Sequence, residues 1–98
     1  MSGKEIIERI GYFRTKAGLT QRALSIDIDM NVGYINRLEC KKDFLPSIEV
    51  LTRIIEACGV TEEEFFYDDV RNYEEDKSIL KKIKGLSQEK RSALLTLL

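Results

Sequence analysis

A chain of 98 residues, 43% apolar and 34% charged with one Pro and six Gly, has the composition of one small helix-rich domain, which excludes collagen-like and wholly disordered classes. His is absent, and Cys40 and Cys58 lack a second pair, so the usual zinc spacings, His-dependent nucleophiles and a disulfide framework are excluded too. The net charge of −1 is unevenly spread: residues 1–42 hold eight Lys/Arg against five acids, residues 61–76 eight acids against Arg71, and residues 77–98 six bases against Glu89, so a local basic footprint is compatible with the acidic total.

In chain order, Ile6, Ile10, Phe13 and Ala17 recur at steps of 4, 3 and 4, predicting an amphipathic helix from Lys4 to Lys16 that Gly18 ends. Thr20 is the expected N-cap of a second helix, Gln21 to Ile28, with Leu24 and Ile28 on one face. Asp29-Met30-Asn31 reads as a tight connection of about three residues, and Asn31 as the cap of a third helix from Val32 to about Cys40, with Ile35 and Leu38 inward. Pro46 disfavours helix at Leu45, so residues 40–46 read as a loop. Ser47 restarts a helix whose apolar positions are Ile48, Leu51, Ile55 and Cys58, ended by Gly59. Thr61-Glu62-Glu63-Glu64 is a capping box, placing Phe65 and Phe66 on a short fifth helix.

Five helices thus occupy a domain spanning residues 1–67. Residues 68–76, with five acids, read as a solvated linker or frayed turn. Residues 77–98 read as a helical tail: Ile79, Leu80, Ile83 and Leu86 share one stripe, Gly85 interrupts, and Ser87 caps a last segment rich in Leu. Helices of about ten residues are marginal alone, so this tail is expected to pack on the core or on a second copy. No uncharged apolar run approaches the roughly 18 residues of a membrane span, and the N-terminus lacks a signal-peptide core, so a cytoplasmic protein is expected.

The second and third helices, joined by a short turn and with the third rich in outward hydrogen-bonding side chains, describe a helix-turn-helix. The run of Arg14, then Leu19-Thr20-Gln21, Tyr34-Ile35-Asn36-Arg37-Leu38-Glu39, Leu45-Pro46-Ser47 and Cys58-Gly59-Val60-Thr61-Glu62-Glu63-Glu64-Phe65-Phe66 resembles the Cro/repressor-type (Xre-like) helix-turn-helix family over about residues 4–67. The resemblance implies an all-α, five-helix repressor-like bundle that binds double-stranded DNA. It also implies a homodimer placing recognition helices in major grooves about 34 Å apart.

Residue by residue, the resemblance places Gln21 on a DNA phosphate at a helix N-terminus, where the amides and helix dipole favour an anion. Arg22, Asn31, Lys41 and Lys42 are the other expected phosphate contacts. At 100° per residue the third helix turns Gly33, Asn36, Arg37 and Cys40 outward, with Val32 and Tyr34 on its flanks. Val32, Gly33, Tyr34, Asn36 and Arg37 are therefore the expected base-contacting set: Arg37 suits guanine O6 and N7, Asn36 adenine N6 and N7, and Val32 a thymine methyl. Arg14 and Glu39 match the family's structural ion pair.

The sequence departs from the family pattern at three positions. Asp29 stands where Gly is usual, and Asp tolerates positive φ. Lys41 stands where Gly commonly follows the recognition helix, a costly residue if left-handed. Gly33 removes a side chain from the recognition face and shifts weight to DNA shape.

The regulator reading predicts a sequence-specific transcriptional regulator, most simply a repressor. The alternative is a protein-interaction module, such as an antitoxin or co-regulator with weak DNA affinity, to which the acidic balance, Gly33 and the apolar tail all point. An enzyme is not expected, since there is no His, no Gly-rich phosphate loop and no carboxylate pair across a cleft; Glu62 to Glu64 suit a helix dipole. Nothing in the sequence indicates a metal, cofactor or small-molecule ligand.

Overall fold

The computed structural model describes residues 1–97, and every element among them is helical. Five helices make up a first compact unit, Met1–Phe66, and the chain from Tyr67 forms a second. Helix α1 (Gly3–Lys16) starts where the Ser2 hydroxyl accepts the Glu5 amide, and it ends at Gly18, whose φ of +75° only glycine adopts without strain. Helices α2 (Gln21–Asp27), α4 (Ile48–Ala57) and α5 (Glu62–Phe65) are capped by Thr20, Ser47 and Thr61, whose hydroxyls accept the Ala23, Val50 and Glu64 amides. Gly59, at φ +73°, closes α4 as Gly18 closes α1.

Helix α3 runs Tyr34–Lys41, two residues later than its apolar pattern suggests. Asn31 does not cap it directly. Its side chain accepts the Gly33 amide at 2.9 Å, an Asx turn that holds the chain outside the helix for two more residues. The segment between α2 and α3 therefore spans residues 28–33 rather than three residues, with Asp29 at φ +59° as its sharp corner. After α3 the left-handed residue is Lys42, at φ +56°, and not Lys41, which lies in the last helical turn.

The core of the first unit joins Ile7, Ile10 and Phe13 of α1 to Leu24, Ile28, Ile35, Leu38, Ile54, Ile55 and Phe65, all fully buried. The Phe13 and Phe65 rings lie 5.5 Å apart. Each such Ile or Leu contributes about 1.5 to 3 kcal/mol by leaving water. The buried stripe of α1 is centred on Ile7, with Ile6 only half-buried and Ala17 exposed past the helix end. In α4 the inward pair is Ile54 and Ile55, whereas Ile48, in the first turn, is 86% exposed. Phe66 follows α5 as its C-terminal cap and remains largely exposed.

In the second unit, residues 68–76 hold a short turn and the first residues of a helix. Asp69 accepts the Arg71 amide and the Asn72 side-chain amide, which nucleates a single 3-10 turn, Val70–Asn72. Helix α6 (Tyr73–Lys84) follows directly, and Glu74, Glu75 and Asp76 serve as first-turn acids that its dipole favours. Tyr73 packs edge-on against Tyr67, whose hydroxyl donates to Asp76 at 2.6 Å. Helix α7 (Gln88–Leu97) begins where the Ser87 hydroxyl accepts the Lys90 amide. Among the described residues no helix is long and apolar enough to cross a membrane.

Candidate nucleic-acid interface

The α2–α3 pair is held by polar bonds that cross between helices. The Arg14 guanidinium donates from Nε to one Glu39 oxygen at 2.7 Å and from Nη2 to the other at 3.0 Å, and its Nη1 reaches the Leu19 carbonyl at 2.9 Å. This bidentate pair is largely buried, and the bond to Glu39 raises the Arg14 pKa above its ordinary value. It ties α1 to the end of α3, as the family resemblance implies. The same Glu39 carboxylate accepts the Gln21 side-chain amide at 3.1 Å, and the Gln21 oxygen accepts the Asn36 amide at 2.8 Å. Arg14, Glu39, Gln21 and Asn36 thus form one chain of hydrogen bonds that fixes the amide orientation of Asn36 at the surface.

Two further anchors were invisible as spacing. Ser25 is fully buried on α2; its hydroxyl donates to the Gln21 carbonyl at 2.8 Å and accepts the Ile35 amide at 3.1 Å. Gly33, the N-cap of α3, has no side chain to supply that acceptor, so α2 caps α3 from outside. Arg53 of α4 donates to the Ile28 carbonyl at 3.2 Å, at the end of α2, and to Glu49 at 2.8 Å. A cation at a helix C-terminus is favoured by the dipole as well as by the bond. The one available sequence signal was a small polar residue, Ser25, beside Leu24 on an otherwise apolar face. Arg53 carried none, because its partner is a carbonyl 25 residues away.

Of the expected phosphate contacts, Arg22, Asn31, Lys41 and Lys42 are exposed, and Gln21 is half-buried within the hydrogen-bond chain. Of the expected base contacts, Asn36 and Arg37 are exposed and Val32 is 44% exposed. Tyr34 differs from its expected place on the flank. It is only 8% exposed, with its ring edge-on to Phe44 at 5.8 Å, and burial pushes its pKa up although Arg37 pulls it down. Its ring packs into the core of the first unit instead of standing on the flank of α3. Gly33 leaves open space: a Cβ there would meet only the Asn31 side-chain oxygen, at 3.5 Å.

Cys40 is exposed at the end of α3, whereas Cys58 is buried and burial raises its pKa, which leaves it a protonated packing group. Among the described residues no cluster of His, Cys, Asp and Glu could hold a metal ion.

No curated protein and no solved structure matches the chain significantly. The helix-turn-helix family model matches residues 10–65, a span that takes in the Arg14–Glu39 pair, the α2–α3 unit and α4 to α5. With that match over more than half its length and the geometry just described, the chain belongs to the Cro/repressor-type (Xre-like) helix-turn-helix family of DNA-binding regulators.

Proposed function

We propose that this chain is a sequence-specific transcriptional repressor that acts in the cytoplasm as a homodimer, each copy laying α3 in a major groove of a near-palindromic operator. The observation that carries this reading is the hydrogen-bond chain from Arg14 to Asn36, which presents an exposed amide in fixed orientation beside the exposed Arg37. Preset polar groups of this kind suit base-edge recognition, because Arg bidentate to guanine and Asn bidentate to adenine both require a defined approach. Arg22, Asn31, Lys41 and Lys42 would position the helix through phosphates, with Gln21 at the N-terminus of α2. Val32 and Gly33 would lie closest to the bases at the start of α3. Tyr34 would support them from below.

Selection from a randomised duplex pool, followed by affinity measurement across salt, tests the reading. A recovered inverted repeat is expected, with a log-log salt slope near −0.9 per phosphate contact. Arg37→Ala should cost about 1 to 3 kcal/mol on the selected site alone, while Lys42→Ala should weaken selected and random duplexes alike. Equal losses for both variants on both duplexes would remove the residue assignment. A second reading, a protein-interaction module with weak DNA affinity, draws on the bare Gly33 position and on the exposed Leu95 and Leu97 of the tail. It predicts no measurable salt slope even at low ionic strength.

A further inference from the structure

In the second unit, Ile79 and Leu80 of α6 are each 49% exposed, and Ile83 continues their stripe half-buried. Apart from Lys77, which lies over the Tyr73 ring, the charges of the same helix divide along its length, with Glu74, Glu75 and Asp76 in the first turn and Lys81, Lys82 and Lys84 in the last. Glu75 and Lys82 are seven residues apart, so they lie on the same flank of the apolar stripe, separated by about 10 Å along the axis at 1.5 Å per residue.

We propose that α6 is a self-complementary seam: two copies of this chain pair antiparallel through Ile79, Leu80 and Ile83, and Glu75 of each copy meets the partner's Lys82. A two-fold axis perpendicular to the helices keeps each flank on its own side and reverses its height, so the acidic end of one flank faces the basic end of the same flank on the partner. The axis passes close to Ile79, which puts the apolar centre of one stripe on that of the other. The antiparallel arrangement also opposes the two helix dipoles, each N-terminal end lying beside the C-terminal end of the partner helix. A parallel pair offers nothing similar, because its flanking position meets the residue five further along. Glu75 would then face the partner's Leu80, and Lys82 the partner's Ser87. Asp76, nearer the middle of the stripe, accepts the Tyr67 hydroxyl at 2.6 Å. The occupant that fits this face is therefore the same face of a second copy.

This inference rests on the homodimer proposed above, and its test uses the full chain. Sedimentation equilibrium should show a monomer–dimer equilibrium for the unmodified protein. Glu75→Lys and Lys82→Glu should each raise the dimer Kd about tenfold, since two pairs change from attraction to repulsion. An equimolar mixture of the two variants should restore the original Kd as a heterodimer, and the double variant should restore it as a homodimer. Ile79→Glu should give a monomer of unchanged helical circular dichroism. A monomeric unmodified chain, single reversals without effect, or a mixture that fails to recover would each overturn the seam. If salt-dependent DNA binding persists in that event, the seam alone falls. If the charge-swapped mixture recovers while no DNA is bound, the regulator reading falls and the seam stands.

Discussion

Helices α3 and α6 are built alike at first sight, each amphipathic and each ending in lysine, yet their surroundings differ. Helix α3 buries Tyr34, Ile35 and Leu38 and receives polar bonds from three side chains on other helices, those of Arg14, Gln21 and Ser25. Helix α6 buries only Tyr73 and leaves Ile79 and Leu80 half exposed. Close packing of apolar side chains seats a helix against a core, and directional bonds to its polar groups add a further restraint on its register and tilt. The proposed base readout by α3 would draw on such bonds, whereas the proposed seam on α6 would rest on its apolar stripe together with the Glu75 and Lys82 charges.

The sharpest way to break this contrast is Arg14→Ala. It leaves the Glu39 carboxylate largely buried without its bidentate partner, and a loss of about 3 to 5 kcal/mol is expected in urea unfolding. A loss below about 1 kcal/mol would place the pair with ordinary surface ion pairs and remove the restraint attributed to α3.

Next in size, Ser25→Ala strips the Ile35 amide of its acceptor inside the core and should cost about 1 to 3 kcal/mol. Hydrogen exchange at the Ile35 amide should accelerate beyond what the global loss explains, and unchanged protection there would show that the cross-helix cap contributes nothing. Lys42→Gly acts in the opposite direction: relief of the left-handed backbone should add about 1 kcal/mol of stability, while the lost charge lowers the DNA salt slope by about 0.9. A variant that is both more stable and equally tight on DNA would exclude Lys42 from the phosphate contacts.

The smallest effect is expected in the tail. Leu97, 83% exposed on α7, should tolerate Ala within about 0.5 kcal/mol in dilute solution. Leu38→Ala, at a fully buried position of α3, should cost about 2 to 5 kcal/mol. Similar values for the two leucines would erase the difference between the units.

The helix starts were legible where a hydroxyl sits one step before an apolar period, as at Thr20, Ser47, Thr61 and Ser87, because capping is a local interaction. The Arg14–Glu39 pair was legible only through family resemblance, since nothing in a separation of 25 residues marks two charges as neighbours. Three features escaped for distinct reasons. Asn31 looked like a helix cap but closes an Asx turn one residue earlier, and both uses draw on the same side-chain acceptor. Tyr34 sat at a flank of the helical wheel, where periodicity does not show that the 42–46 loop brings Phe44 against its ring. Ile48 matched the period of α4, yet the first turn projects past the core it was assumed to face. The exposed ridge itself, Asn36 and Arg37, followed from periodicity, but the lock on Asn36 through Gln21 did not.

Gly33 has a use in protein engineering. Its φ of −94° is open to L-residues other than proline, whose missing N–H would break the bond to Asn31, and the space beside it is open, so a library at this one codon would graft new functional groups onto the leading edge of α3. Retargeting the chain to altered operators would begin there, at a blank the scaffold already tolerates.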